Sequence, residues 1–153
     1  MNERKLLLDI QDLTIHYETE AGRVRAVEHL YLELGYGETL GFVGETGAGK
    51  TTTALGVMRL IPTPPGRIVS GEILFDGRDI LSMSDEEVRL MRGRDMAMIF
   101  QDPMSSLNPV FTTGFQVGEA IVTHEPSIAR EPLRARVLDL FRKVNIADPE
   151  TSV

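Results

Sequence analysis

The run Gly44-Glu45-Thr46-Gly47-Ala48-Gly49-Lys50-Thr51 meets every fixed position of the pattern G-x-x-x-x-G-K-[ST], and its chemistry is anion binding. Successive backbone N–H groups of such a turn can point inward around a phosphate. Only residues without bulky side chains let the main chain come that close. Gly44, Gly47 and Gly49 supply this freedom, and Glu45, Thr46 and Ala48 fill the variable positions. Lys50 adds a mobile ammonium for the outer phosphates of a nucleotide. The hydroxyl of Thr51, which Thr52 follows, is placed to ligate a magnesium ion bridging those phosphates.

Such a turn needs a strand before it and a helix after it. Thr39-Leu40-Gly41-Phe42-Val43 reads as a short buried strand, and Ala54, Leu55, Met58 and Ile61 recur at helical spacing. The helix start would add its partial positive charge to the anion site. The plainer alternative is a glycine-rich turn joining a core strand to a core helix.

Further elements are legible on either side. Apolar and polar residues alternate from Leu13 to Tyr17 and again from Leu30 to Leu34, which predicts two strands joined by a turn over Thr19 to Gly22. Pro62-Thr63-Pro64-Pro65-Gly66 stops the first helix as a stiff connector. Ser70 to Gly77 reads as a strand closing in an Asp-Gly turn, and Ser84 with Glu87 forms a capping box that opens a short helix. Met96-Ala97-Met98-Ile99-Phe100 is nearly continuous apolar sequence, as in a strand buried on both faces of a parallel sheet. Beyond a polar loop from Gln101 to Pro109, Val117, Ile121 and His124 share one helical face. Leu133, Val137, Leu140, Phe141 and Val144 share another, with Pro132 in the first turn of that helix.

Composition narrows the function classes. The 153 residues are 42% hydrophobic and 25% charged, enough for one real core. A formal net charge of -7 argues against a general nucleic-acid binder, since phosphate backbones select basic surfaces. There is no cysteine, so no disulfide framework or thiolate metal site can form. The three histidines, His16, His29 and His124, lack metal-ligand spacing and read as surface or boundary residues. No apolar run approaches the length of a membrane span, and the charged start Met1-Asn2-Glu3-Arg4-Lys5 is too polar for a signal peptide. Membrane association would have to go through a partner.

Several blocks together resemble the ATP-binding subunits of ABC transporters: Gly37 through Thr51, the strand Ser70 to Gly77, and above all Phe100-Gln101-Asp102-Pro103-Met104-Ser105-Ser106-Leu107-Asn108-Pro109. The last is similar to the form in the branch serving oligopeptide, dipeptide and nickel importers. The resemblance implies an α/β P-loop NTPase fold, an ABC-type nucleotide-binding domain that is C-terminally incomplete. Residues 1–43 would form an antiparallel β portion, 44–101 the core from phosphate loop to Q-loop, and 102–153 the start of a helical portion.

It also implies site roles. ATP would be held by Tyr17, stacked on adenine, and by Gly44, Glu45, Thr46, Gly47, Ala48, Gly49, Lys50, Thr51 and Thr52. Thr51 and Gln101 would face Mg²⁺, and Lys50 and Gln101 would act on the γ-phosphate. The loop Asp102–Pro109 would meet the membrane-spanning permease subunit, and a second ATP-binding subunit would complete a dimer. The implied location is cytoplasmic, peripheral on the inner face of the membrane. Tyr17 could instead cap the apolar face of its strand, and Gln101 could be an ordinary loop residue.

The sequence also departs from the family. The phosphate loop carries Thr46, Ala48 and Thr51 where this branch often has serines, all small or hydroxylated. No LSGG-type signature, hydrophobic strand ending in Asp-Glu, or later switch histidine occurs in the 153 residues. Leu6-Leu7-Leu8-Asp9 precedes the phosphate loop, Val137-Leu138-Asp139 sits in a helical pattern, and Ser70-Gly71 lacks the second signature glycine. The expectation is therefore weak nucleotide binding or none, negligible turnover by this chain alone, and an unfinished sheet. Two rival classes remain: another P-loop NTPase, kinase or GTPase, though no Asn-Lys-x-Asp run supports the last; and a non-hydrolytic remnant or regulatory fragment.

Overall fold

The computed structural model describes residues 5–102 and 106–151 and divides into two compact units, Met1–Arg92 and Gly93–Val153. The first unit is built on an antiparallel sheet of order β2-β1-β3-β4, with β1 Leu6–Thr19, β2 Gly22–Gly35, β3 Gly66–Phe75 and β4 Arg78–Asp79. The expected hairpin forms, longer at both ends than the alternation alone suggested, and turns tightly between Thr19 and Gly22. β1 is one of the two inner strands, and its Ile10, Leu13 and Ile15 are fully buried. The Asp76-Gly77 turn joins β3 to β4 with both residues at positive φ, 48° and 73°, the geometry that matches the twist of a hairpin.

One line of irregularity crosses this sheet. Asp12 and His29 have φ of 51° and 50°, and both lie where the β1–β2 register shifts. Gly71 on β3 has φ 102°, and a Cβ there would lie 2.6 Å from the Asp12 carbonyl oxygen. Bulges at one level of three strands bend the sheet. The exposed His29 ring closes the bulge through Nδ1, 2.7 Å from Asp12 Oδ1.

Helix α1, Lys50–Val57, lies against the sheet through Gly56, where a Cβ would meet Ile15 Cδ1 at 3.0 Å. Helix α2, Asp85–Met91, starts with the expected capping box: the Ser84 hydroxyl accepts from Glu87 N–H, and the Glu87 carboxylate accepts from Ser84 N–H at 2.8 Å. The Ser84 hydroxyl and amide hold the Glu87 carboxyl below the ordinary carboxylate value. Val88 and Met91 bury its inner face.

The second unit pairs α3, Thr113–His124, with α4, Arg130–Lys143, and ends in a 3-10 turn at Pro149–Thr151. Gly114 and Gly118 are buried, and a Cβ at Gly118 would sit 3.8 Å from Leu133 and 3.9 Å from Val137. The small residues let the helices approach closely. Of the apolar set read on α4, Val137 and Phe141 are buried, whereas Leu140 and Val144 face solvent. His124 packs under Gly93, where a Cβ would lie 2.9 Å from its Nε2.

Two expected strands do not form. Thr39–Val43 has no ladder bonds and Val43 is 90% exposed. Met96–Phe100 makes only an isolated bridge at Met96, and Ile99 is 94% exposed. A strand exists only where a neighbour accepts from its N–H groups and donates to its C=O groups. Among the described residues no parallel neighbour pairs with either segment, so the apolar runs stay open to water.

Ser84→Ala removes the hydroxyl half of the capping box, leaving only the backbone amide to bond Glu87, and is expected to lower stability to urea by about 1 kcal/mol. The His29 imidazole is raised above its ordinary 6.5 by its hydrogen bond to Asp12 and then by the Asp12 charge. Its stabilising contribution is therefore full below the unfolded value and fades as pH rises through the folded one. The stability gap between the parent chain and His29→Gln should close on going from about pH 6 to about pH 9. A gap independent of pH would contradict this pairing.

Candidate functional site

The phosphate turn spans the six residues from Gly44 to Gly49 that lead into α1. Two of its glycines take left-handed backbone, Gly47 at φ 87° and Gly49 at φ 78°. Gly49 is the N-cap of α1 and is pressed against the sheet: a Cβ there would come within 2.2 Å of the Ala26 carbonyl oxygen and 3.1 Å of Val27 Cγ2. Gly44 is closed in by the turn itself, since a Cβ would lie 3.3 Å from that of Ala48. Glycine is needed at 49 for both conformation and space, and at 47 for conformation alone.

The amide of Ala48 donates to Glu45 O at 3.1 Å and tightens the turn. The amides of Gly47, Gly49, Lys50, Thr51 and Thr52 have no backbone acceptor among the described residues. That is how a helix start presents donors to an anion. Thr53, buried behind them, ties the first turn of α1 to Gly49 O through its amide at 2.8 Å and its hydroxyl at 3.0 Å.

Lys50 folds back over the turn. Its ammonium donates to Gly44 O at 2.6 Å and Glu45 O at 2.7 Å. These neutral acceptors hold it beside the open amides, from which it can exchange onto charged oxygens of a ligand. Thr51 is exposed and Thr52 half-buried at the helix start, with Glu45, Thr46, Gly47 and Ala48 open to solvent. The donor set of amides, one ammonium and one free hydroxyl suits phosphate oxygens and a hard cation that prefers oxygen ligands. No cluster of three His, Cys, Asp or Glu side chains that could hold a metal occurs among the described residues.

Tyr17 lies on β1 opposite Val24 and Gly66, half-buried, and its ring covers the Gly66 main chain, where a Cβ would fall 2.8 Å from Cε1. Gln101 belongs to the second unit, exposed and outside regular structure. Of the loop Asp102–Pro109, Pro103, Met104 and Ser105 lie outside the described residues. Its later half is stapled to α3 by Gln116, which accepts from Asn108 N at 2.8 Å and donates to Asn108 O at 3.0 Å and Phe111 O at 3.1 Å. Phe111 stacks on Phe115 at 4.9 Å, and with Leu107 and Val110 they leave an apolar exposed surface.

An apolar groove of about 510 Å³ between α3 and α4 includes no residue of the phosphate turn in its lining. The turn is an open cradle, not an enclosed cavity. Ala26 and Thr53, which hold it from behind, carry no motif of their own. Only their placement reveals them.

Gly49→Ala forces both a clash with the Ala26 carbonyl and a strained φ, so it should destabilise the first unit by at least about 1 kcal/mol and remove anion binding. Gly47→Ala meets no neighbour and should cost only its backbone strain. Comparing the two melting curves, with equal losses excluded, checks this ranking.

The pattern of the family described as ABC transporter matches residues 27–153. Among curated proteins, the oligopeptide transport ATP-binding protein OppD of Bacillus subtilis (strain 168) is 44% identical over 147 residues, 96% of this chain and 41% of that protein. The dipeptide transport ATP-binding protein DppD of Escherichia coli (strain K12) is 41% identical over 143 residues, 94% of this chain and 43% of its own length. The chain thus spans less than half the length of these relatives. Among solved structures, the ATP-binding cassette MJ0796 bound to ADP and Pi, in a dimeric post-hydrolysis state, superposes with a TM-score of 0.76 at 19% identity, over 92% of this chain and 58% of that one. That likeness establishes the fold as the one read from the sequence. A family match that takes in the later part of β2, the phosphate turn and both helices of the second unit leaves one conclusion: the chain belongs to the ABC transporter family.

Proposed function

We propose that this chain is the nucleotide-holding portion of an ATP-binding subunit that energises an ABC importer of peptides. The observation that carries the proposal is the phosphate turn: glycines wherever side chains would intrude, donors without backbone acceptors, and the Lys50 ammonium resting on two neutral carbonyls. Lys50 leaves Gly44 and Glu45 for the β- and γ-phosphates of ATP, the amides of Gly47, Gly49, Lys50, Thr51 and Thr52 surround the phosphate tail, and the Thr51 hydroxyl is a ligand for Mg²⁺. Bound magnesium supplies charge neutralisation on the phosphoryl oxygens, which with positioning makes up most of the catalysis of phosphoryl transfer. Tyr17 offers a ring for adenine, and Gln101 senses the γ-phosphate.

The relatives are named for oligopeptide and dipeptide transport, which favours peptides over nickel as the cargo. The apolar surface of Leu107, Val110, Phe111 and Phe115 supports docking of the loop Asp102–Pro109 on a permease subunit. No helix among the described residues is long and apolar enough to cross a membrane, in keeping with a place at the inner membrane face through that partner. A second ATP-binding subunit completes the working dimer.

These 153 residues include no hydrophobic strand ending in an Asp-Glu pair to complete the metal shell and orient water, and no signature to clamp a partner's ATP. Turnover by the chain alone is therefore negligible. Titration with a fluorescent ATP analogue in Mg²⁺ should give weak saturable binding that Lys50→Ala reduces at least about tenfold, the scale of a lost charge-assisted phosphate contact. Superimposable curves would remove the phosphate turn from the proposal. Phosphate release at about 1 per second or faster, as in ordinary kinases, would overturn the prediction of negligible turnover.

A further inference from the structure

The phosphate turn is the front of α1, and the back of the same helix is held in an unusual way. α1 is eight residues, Lys-Thr-Thr-Thr-Ala-Leu-Gly-Val, with three threonines and a glycine among them. Such composition and length do not sustain a helix alone, so its direction must come from what grips its ends. The last turn closes as a Schellman motif: Leu60 N–H donates to Leu55 O at 2.8 Å and Arg59 N–H to Gly56 O at 3.0 Å. The left-handed position in that motif normally falls to glycine. Here it is Arg59, at φ 48°.

Both ends of α2 reach this strained turn. At the α2 start, Asp85 Oδ1 accepts from Arg59 Nη2 at 2.6 Å, and the nearby Met83 O accepts from Arg59 Nη1 at 2.7 Å. At the α2 end, Arg92, its C-cap, donates Nε to Met58 O at 2.8 Å and Nη2 to Arg59 O at 3.0 Å. Two successive carbonyls beyond α1, left without intrahelical partners, are thus taken by one guanidinium. Its charge also opposes the negative end of the helix dipole.

We propose that Arg92 is a positioning residue for the phosphate site: its two-pronged grip sets the axis of α1, and so the aim of the Lys50 and Thr51 amides and the Thr51 hydroxyl. The inference rests on the reading of the turn as a nucleotide site. α1 is about 12 Å long, so a tilt of about 5° at the gripped end moves the other end by about 1 Å. Displacement of that size is enough to spoil donor geometry at a phosphate. A guanidinium holds two donors in one rigid planar fork, whereas a lysine ammonium at this position is a point charge on a flexible stem without that fixed geometry.

The test uses fluorescent ATP-analogue titration, thermal melting and amide hydrogen exchange along α1 on the parent chain, Arg92→Ala, Arg92→Lys, Lys50→Ala and Ile73→Val. The last removes one buried methyl group from the sheet core on β3 and leaves the sequence of α1 and Arg92 unchanged. Arg92→Ala is expected to raise the half-saturating concentration about tenfold and to speed exchange in α1 above the change elsewhere. Arg92→Lys should fall between it and the parent, and millimolar guanidinium should restore part of the Arg92→Ala loss. Ile73→Val should lower the melting temperature with affinity unchanged within about twofold. Parent affinity in Arg92→Ala, or an equal affinity loss in Ile73→Val, would overturn the positioning role while Lys50→Ala still abolished binding. Binding by Lys50→Ala equal to the parent, or none by the parent, would instead remove the nucleotide reading and this inference with it.

Discussion

The carbonyl of Ala26 and the main chain of Gly49 lie so close that no side-chain atom fits between them. Much else in the first unit follows from that approach. It ties the phosphate turn to β2, places the start of α1 over the sheet, and requires a residue at 49 that tolerates positive φ without a Cβ. Thr53 reinforces it from inside by returning amide and hydroxyl to Gly49 O, so the turn is held by main chain on one side and a buried hydroxyl on the other. A cradle for an anion must present donors without moving them when the ligand arrives. This packing supplies that rigidity.

A short helix stretched between two such anchors is unusual only in how its far end is secured. Its own residues contribute little helix propensity, its closing turn places an arginine where glycine is favoured, and the two carbonyls just beyond it are taken by a second arginine. Strain in one backbone position is offset by the hydrogen bonds that Arg59 makes to Met83 and Asp85. The sheet shows a similar exchange, where Asp12 and His29 leave regular β geometry and pair with one another.

The apolar segments around residues 39–43 and 96–100 have β-forming composition but remain outside any ladder. Strand propensity is a statement about fitting between neighbours, and hydrogen bonding to those neighbours is what turns an apolar run into a strand. The same limit applies to α4, where periodicity placed Leu140 and Val144 with Val137 and Phe141, yet only the latter two are covered.

Local chemistry was therefore readable in advance. The phosphate turn, the hairpin, the Asp76-Gly77 turn, the Ser84–Glu87 box and both later helices depend on residues within a few positions of one another, and their identities dictate the backbone they adopt. Contacts across long separations were not readable: Ala26 against Gly49, Arg92 on the end of α1, Gly71 against Asp12, and the open state of the two apolar segments. Each joins groups whose residue types are individually ordinary. Only the folding of distant chain into one place gives an alanine carbonyl or an arginine fork its role.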